Sequence, residues 1–176
     1  MSTFEYPWEY NFPPFFTIQP NSVTRSQQLR AWRSLILGYC TFHKIHSLAF
    51  NDSLLNLPLF NNTSINRSLT KESLKVVLND LEAEGLLKWS DGKQEFFIYW
   101  KTPEEWADLI HKHVNESGLK NSVCTFYELT EADEVRHLPF YQLHQDILKK
   151  ALQVLEKRGQ ATIITMADSE GVKFLK

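Results

Sequence analysis

Cys40 and His43 are the first residues in the chain whose types and spacing could do chemistry. A thiol beside an imidazole is the start of a nucleophile–base pair. His43 and His46 are three apart, and His111 and His113 are two apart, which raises zinc ligation. None of these develops into a site. Cys40 lies beside Leu37 and Tyr39 in an apolar helical stretch, where core packing is the expected role. Histidines two apart on a helix point away from each other. His43 and His46 could share a face, but no Cys or acidic ligand lies close to them in sequence. Two cysteines, Cys40 and Cys124, cannot build a disulfide framework or a four-ligand zinc site, and read as reduced, buried thiols. There is no Gly-rich phosphate loop, no Gly-x-Ser-x-Gly and no His-Glu-x-x-His. The paired carboxylates Glu104 and Glu105 suit a helix start. The expectation is a protein without enzyme activity, metal or cofactor.

The chemistry that remains is recognition, concentrated at the amino terminus. The first twenty residues hold seven aromatics (Phe4, Tyr6, Trp8, Tyr10, Phe12, Phe15, Phe16) and four prolines (Pro7, Pro13, Pro14, Pro20). Aromatics alternate from 4 to 12, and the prolines disfavour a helix or a central strand. An extended, polyproline-like arm is expected over 1–20. Pro13, Pro14, Phe15 and Phe16 are the candidate partner-binding residues. Two prolines pre-order the backbone, and phenyl rings supply the buried area of an interface. The pattern leaves open whether the arm folds back on its own domain or docks outside. The expected division has Trp8 and Tyr10 packing at home while the 13–16 tip reaches outward.

The arm must be carried by folded elements. The formal net charge is −2 and 43% of residues are hydrophobic, which excludes disorder and argues against a dedicated nucleic-acid binder. No run of about 18 apolar residues occurs, so no spanning helix is expected. The first residues lack the basic and apolar regions of a secretory signal, so none is expected. A helix should start near Thr24, with Gln27 completing a capping box. A short strand and loop follow over 46–60, then a possible short helix at 64–68. A strong helix begins at the cap Thr70, buries Leu74, Val77, Leu78 and Leu81, and stops at Gly85. Residues 86–89 and 96–100 read as a hairpin around Asp91-Gly92.

Thr102-Pro103-Glu104-Glu105 opens the next helix, with Trp106, Leu109, Ile110 and His113 inward and Gly118 as its stop. A strand over 123–127, an acidic segment at 131–134, a helix from about His144 to Gly159 and a hairpin over 161–174 complete the chain. Leu78-x-x-Leu81-Glu82-x-x-Gly85 recurs as Leu152-x-x-Leu155-Glu156-x-x-Gly159, within the same order of elements. That order describes a winged helix, a three-helix core closed by a β-ribbon. The expected fold is α+β: the arm at 1–20, a first winged-helix domain at 21–101 and a second at 102–176.

Winged helices often bind DNA, so their helices are the place to look for basic side chains. Residues 70–84 hold Lys71 and Lys75 against Glu72, Asp80, Glu82 and Glu84, a balance that repels phosphate. Residues 144–158 hold Lys149, Lys150, Lys157 and Arg158 against Asp146 and Glu156, which reads as a solvated face. A winged-helix nucleic-acid-binding or transcription factor therefore stands as the alternative, carried by fold analogy.

Blocks along nearly the whole chain resemble a known family. They are Trp8-Glu9-Tyr10-Asn11-Phe12-Pro13-Pro14-Phe15-Phe16-Thr17-Ile18-Gln19-Pro20, Pro58-Leu59-Phe60-Asn61-Asn62, Pro103-Glu104-Glu105-Trp106, Asn121-Ser122-Val123, Phe126-Tyr127-Glu128-Leu129-Thr130 and Gly171-Val172-Lys173-Phe174. Together they resemble the ESCRT-II subunit family of vacuolar protein sorting protein twenty-five. The loops at 47–57 and 131–142 match less well. The resemblance implies two tandem winged-helix domains serving as protein-binding modules in a Y-shaped assembly with two copies of this subunit. It implies that Pro13-Pro14-Phe15-Phe16 docks on the subunits numbered twenty-two and thirty-six. It implies that the second domain recruits and activates an ESCRT-III subunit of the charged multivesicular body protein type; the sequence leaves the contact surface open between the helix at 103–117, the hairpin at 161–174, and both. The implied task is sorting ubiquitinated cargo into multivesicular bodies, by a cytoplasmic protein recruited peripherally to endosomes.

Overall fold

The first long helix, α1 (Ser22–His43), starts at Asn21, whose side chain accepts hydrogen bonds from the backbone N–H groups of Val23 and Thr24. Asn is a strong N-cap, so it displaces the expected Thr24 box and starts the helix earlier. The structure is a computed structural model in which residues 3–175 are described. Trp32, Leu35, Ile36, Tyr39 and Cys40 form the inward stripe of α1, and Lys44 ends it in the left-handed conformation.

The strand β1 (Ser47–Ala49) and a 3-10 turn at Asp52–Asn56 follow. Where a short helix was expected at 64–68, the chain makes a two-stranded ribbon, β2 (Asn61–Asn62) with β3 (Arg67–Ser68). The cause is local. The Asn62 side chain accepts from the Ser64 backbone N–H, and Asn66 takes φ 53°, so two asparagines turn the chain before a helix can propagate. Helix α2 (Lys71–Ala83) is capped by Thr70 and buries Leu74, Val77, Leu78 and Leu81, as its spacing requires. Each buried aliphatic contributes about 1.5–3 kcal/mol relative to exposure. Gly85 leaves α2 with φ 75°, which a glycine adopts without strain. The hairpin β4 (Leu87–Trp89) and β5 (Glu95–Ile98) then closes a sheet of order β1-β5-β4.

The second half repeats the plan. Helix α3 (Pro103–Ser117) carries the full Thr102–Glu105 capping box. Strand β6 (Val123–Thr125) is shorter than expected because Thr125 and Glu128 form a second capping box and start α4 (Phe126–Thr130). A 3-10 turn at Asp133–Val135 precedes α5 (Gln145–Lys157), which buries Ile147, Leu148, Ala151, Leu152 and Leu155. The hairpin β7 (Ala161–Thr165) and β8 (Glu170–Phe174) turns at Met166–Ser169, where the Met166 N–H donates to the Ser169 carbonyl at 2.8 Å. The sheet order is β6-β8-β7.

In both halves the last strand lies in the middle of an antiparallel sheet. It pairs with its hairpin mate and with the short strand after the first long helix. Each half is a winged helix, and the chain divides into the units Met1–Trp100 and Lys101–Lys176. Trp32, Phe60, Phe96 and Leu74 are fully buried in the first, and Trp106, Phe140, Phe174 and Leu148 in the second. The arm is part of the first core, since Tyr10, Phe15 and Phe16 belong to that cluster.

Candidate functional site: the amino-terminal arm

The arm does not run extended. It forms two single-turn 3-10 helices, Trp8–Asn11 and Pro13–Phe16, joined at Phe12, whose backbone is extended. Four turn bonds hold it: Tyr10 N–H to Pro7 at 3.1 Å, Phe12 N–H to Glu9 at 2.9 Å, Phe15 N–H to Phe12 at 2.9 Å and Thr17 N–H to Pro14 at 3.2 Å. Prolines favour this course. Pro7 and Pro14 each provide an acceptor, and Pro13 occupies the first turn position, where no donor is needed.

Side chains of the folded unit then fix the arm. The Gln28 amide of α1 donates to the Phe15 carbonyl at 3.0 Å and the Thr17 carbonyl at 2.8 Å, and its oxygen accepts from the Gln19 N–H at 3.1 Å. The Trp32 indole N–H donates to the same Phe15 carbonyl at 3.0 Å. The Asn62 amide donates to the Tyr10 carbonyl at 2.7 Å, and the Tyr10 hydroxyl donates to the Pro58 carbonyl. Gln28 and Asn62 are buried, and these bonds satisfy polar groups that would otherwise be stranded.

The rings follow. Phe15 stacks on Trp32 with centroids 4.2 Å apart and planes 4° apart. Phe16 meets Trp32 edge-on at 5.5 Å, and Tyr6 stacks on Tyr10 at 3.9 Å. Burial pushes the Tyr6 phenol up to about 12, with the neighbouring Tyr10 adding to it, and raises Tyr10 and Tyr39 as well, so all three stay neutral near pH 7.

This arrangement corrects the expected division of the arm. Tyr10 packs at home, but Phe15 and Phe16, expected at the outward tip, are only 4% and 3% exposed. Trp8, expected to pack at home, is 71% exposed, and Phe12 is 47% exposed. Pro13 and Pro14 are exposed. Of the four candidate residues, the prolines present a surface and the phenylalanines anchor it from below. One signal in the sequence pointed here: Gln28 and Trp32 are four apart on the apolar face of α1, and a glutamine buried there requires partners.

The other candidates do not assemble. Cys40 is fully buried and burial pushes its thiol up to about 12, so it carries no thiolate near pH 7. Burial also raises Cys124, with Glu128 adding to the shift. His43 is exposed among Phe4, Tyr39 and Phe42, whereas His46 is buried against Trp100 with centroids 5.0 Å apart. His111 lies beside Gln160, and His113 faces Phe140 edge-on. Among the described residues no group of three or more His, Cys, Asp or Glu side chains could hold a metal ion. No helix among them is long and apolar enough to cross a membrane.

Of the bases in the 144–158 segment, Lys149 pairs with Glu170 at 3.1 Å and Arg158 with Asp108 at 2.7 Å, which reduces what is available to phosphate. The large exposed hydrophobic side chains of the second unit are Val123 (50%) and Tyr127 (62%), outside both segments expected to meet a partner.

A model of the ESCRT-II complex subunit family matches residues 9–144. The chain is 46% identical over 173 residues to vacuolar protein-sorting-associated protein 25 of Homo sapiens, covering 98% of each. It is 40% identical over 175 residues to that of Drosophila melanogaster, covering 99% of each. The crystal structure of subunit VPS25 of the endosomal trafficking complex ESCRT-II superposes with a TM-score of 0.78 at 31% identity, covering 96% of this chain and 98% of that one. The matching chain in a crystal structure of the endosomal complex ESCRT-II (VPS22/VPS25/VPS36) also gives 0.78, at 32% identity and the same coverage. With tandem winged helices, a braced aromatic arm and these likenesses along its whole length, the chain belongs to the ESCRT-II complex subunit family, on the branch of vacuolar protein-sorting-associated protein 25.

Proposed function

We propose that this chain is a non-enzymatic adaptor of an ESCRT-II assembly, docking through its arm on subunits of the VPS22 and VPS36 types. The observation that carries the reading is the arm itself. Pro13 and Pro14 are exposed on a backbone already fixed by Gln28, Trp32 and Asn62. Order established before docking lowers the entropy lost on association. Solved assemblies of relatives contain the two other subunit types, which supports the choice of partner. On the same reading the second unit recruits and activates an ESCRT-III subunit, and the assembly sorts ubiquitinated cargo into multivesicular bodies. The chain then works in the cytoplasm and reaches endosome membranes through the complex.

The test is co-purification of the full chain with the VPS22- and VPS36-type subunits, against a Pro13→Ala with Pro14→Ala variant. Loss of both subunits with an unchanged melting temperature supports the reading. Full retention removes the arm from the docking role. Deleting 1–20 is a poor substitute, because it strips Tyr10, Phe15 and Phe16 from the core.

A further inference from the structure

Trp8 and Phe12 have no role in the reading so far, and they are the large side chains that the arm leaves outside. We propose that Trp8 and Phe12, and not Phe15 and Phe16, are the aromatic anchors that the arm buries in its partner, on an apolar surface bordered by basic side chains. The inference rests on the adaptor reading above and assigns the residues that would carry its energy.

Three observations lead here. First, exposure: Trp8 is 71% and Phe12 47% exposed, and their rings touch with centroids 5.7 Å apart. A contiguous exposed aromatic pair is costly to leave in water, and Trp is the side chain most enriched at interface hot spots. The two phenylalanines of the Pro-Pro-Phe-Phe run cannot serve in the same way. Reaching a partner would require pulling Phe15 off Trp32 and breaking the two hydrogen bonds on its carbonyl.

Second, pre-organisation. Trp8 opens a turn closed by the Tyr10 N–H on Pro7, and Phe12 donates to Glu9 while its own carbonyl accepts from Phe15. Tyr10, between them in the chain, is pinned by Asn62 and Pro58. The pair is held on an ordered backbone, so docking orders little more than two side chains. A cleft of about 510 Å³ runs beside the pair, lined by Phe12, Pro14, Phe15, Gln27 and Ala31, and offers room for an apolar side chain of the partner.

Third, charge. Residues 3–20 contain Glu5 and Glu9 and no Lys, Arg or His. Glu9 lines the cleft and Glu5 is exposed. Arg25, the nearest base in sequence, directs its guanidinium at the Gln19 and Pro20 carbonyls and is not part of the cleft. With Glu9 as the charged residue of the cleft lining, the pair is complementary to an apolar surface with a basic border.

The experiment measures binding of the full chain to the purified VPS22- and VPS36-type subunits, by titration calorimetry. Wild type is compared with Trp8→Ala/Phe12→Ala and with Pro13→Ala/Pro14→Ala, each checked for melting temperature. The expected result is a loss of about 100-fold or more for the Trp8/Phe12 variant, which stays folded with a melting temperature lowered by a few degrees at most. Wild-type affinity in that variant, beside a weakened proline variant, overturns the inference and leaves the adaptor reading standing. Wild-type affinity in both overturns both. Hydroxyl-radical footprinting of the wild-type chain reads Trp8 without any variant: protection on assembly supports the proposal, and unchanged labelling overturns it. Glu5→Gln with Glu9→Gln should slow association several-fold at low salt and have little effect at high salt. A salt-independent rate in wild type overturns the basic border.

Discussion

Phe15→Ala tests the claim that the Pro-Pro-Phe-Phe run anchors inward. The ring is 4% exposed and lies flat on Trp32 at 4.2 Å. A buried aromatic side chain removes about 150–250 Å² from water, worth roughly 4–6 kcal/mol at ~25 cal/mol/Å² as an upper bound. Alanine keeps part of that area, which leaves about 3–5 kcal/mol, the usual range for Phe→Ala in a core. Domains are stable by roughly 5–15 kcal/mol, so the first unit would lose a large share of its margin. Each kcal/mol lowers the midpoint of a domain this size by about 4–8 °C. The first-unit transition should therefore fall by at least 12 °C or so, followed by tryptophan fluorescence because Trp32 loses its stacking partner. Phe12→Ala, made in parallel at a half-exposed site, should cost about 1 kcal/mol or less. A Phe15→Ala chain that melts within a few degrees of wild type would refute the inward anchor and restore ring 15 to the docking surface.

Further outcomes follow from the same geometry. Neither cysteine should react with a thiol reagent in the folded chain at pH 7.5, since burial holds Cys40 at about 12 and raises Cys124; rapid labelling of Cys40 before unfolding would contradict this. Gly171→Ala should destabilise the second unit by about 1–3 kcal/mol through overpacking. A Cβ there would lie 2.7 Å from the Met166 Cε and 3.0 Å from the Cys124 carbonyl oxygen. Adding Met166→Ala should relieve only part of that cost, because the carbonyl stays in place; denaturant titration reads both. His113 is lowered first by burial and then by His137, with Glu116 opposing. A histidine depressed in the folded state binds fewer protons than in the unfolded chain, so its contribution is present above about pH 6.5 and lost as pH falls through the folded value. The second unit should melt lower at pH 5 than at pH 7.5, and His113→Gln should flatten the difference.

Most of the fold was legible because its signals are local. Thr102-Pro103-Glu104-Glu105 fixes a helix start within four residues, and Gly85, Gly118 and Gly159 mark helix ends where φ is positive. The buried stripes of α2 and α5 follow from spacing alone. The errors occurred where two local signals competed. Asn21 outbid Thr24 as a cap, and Asn62 with Asn66 turned a segment that otherwise resembled a weak helix. Thr125 ended a strand by starting a helix, because a β-branched residue serves both roles and only its bond to the Glu128 N–H decides between them.

The candidate site divides the same way. The residues alone establish that the arm is rich in proline and aromatics, that it lacks basic residues, and that it precedes a duplicated winged-helix plan. They also carry the resemblance to the family. Which rings face in and which face out is set by long-range packing. Along the arm, Trp8, Phe12, Phe15 and Phe16 are equivalent by type, and the alternation from 4 to 12 does not tell exposed Trp8 from buried Tyr10. Their fates depend on groups far along the chain: Trp32 to stack on Phe15, Gln28 to hold its carbonyl, Asn62 and Pro58 to fix Tyr10. Single 3-10 turns joined by an extended residue are too short to sustain a period, so the arm's orientation is set by partners it meets only when the chain has folded.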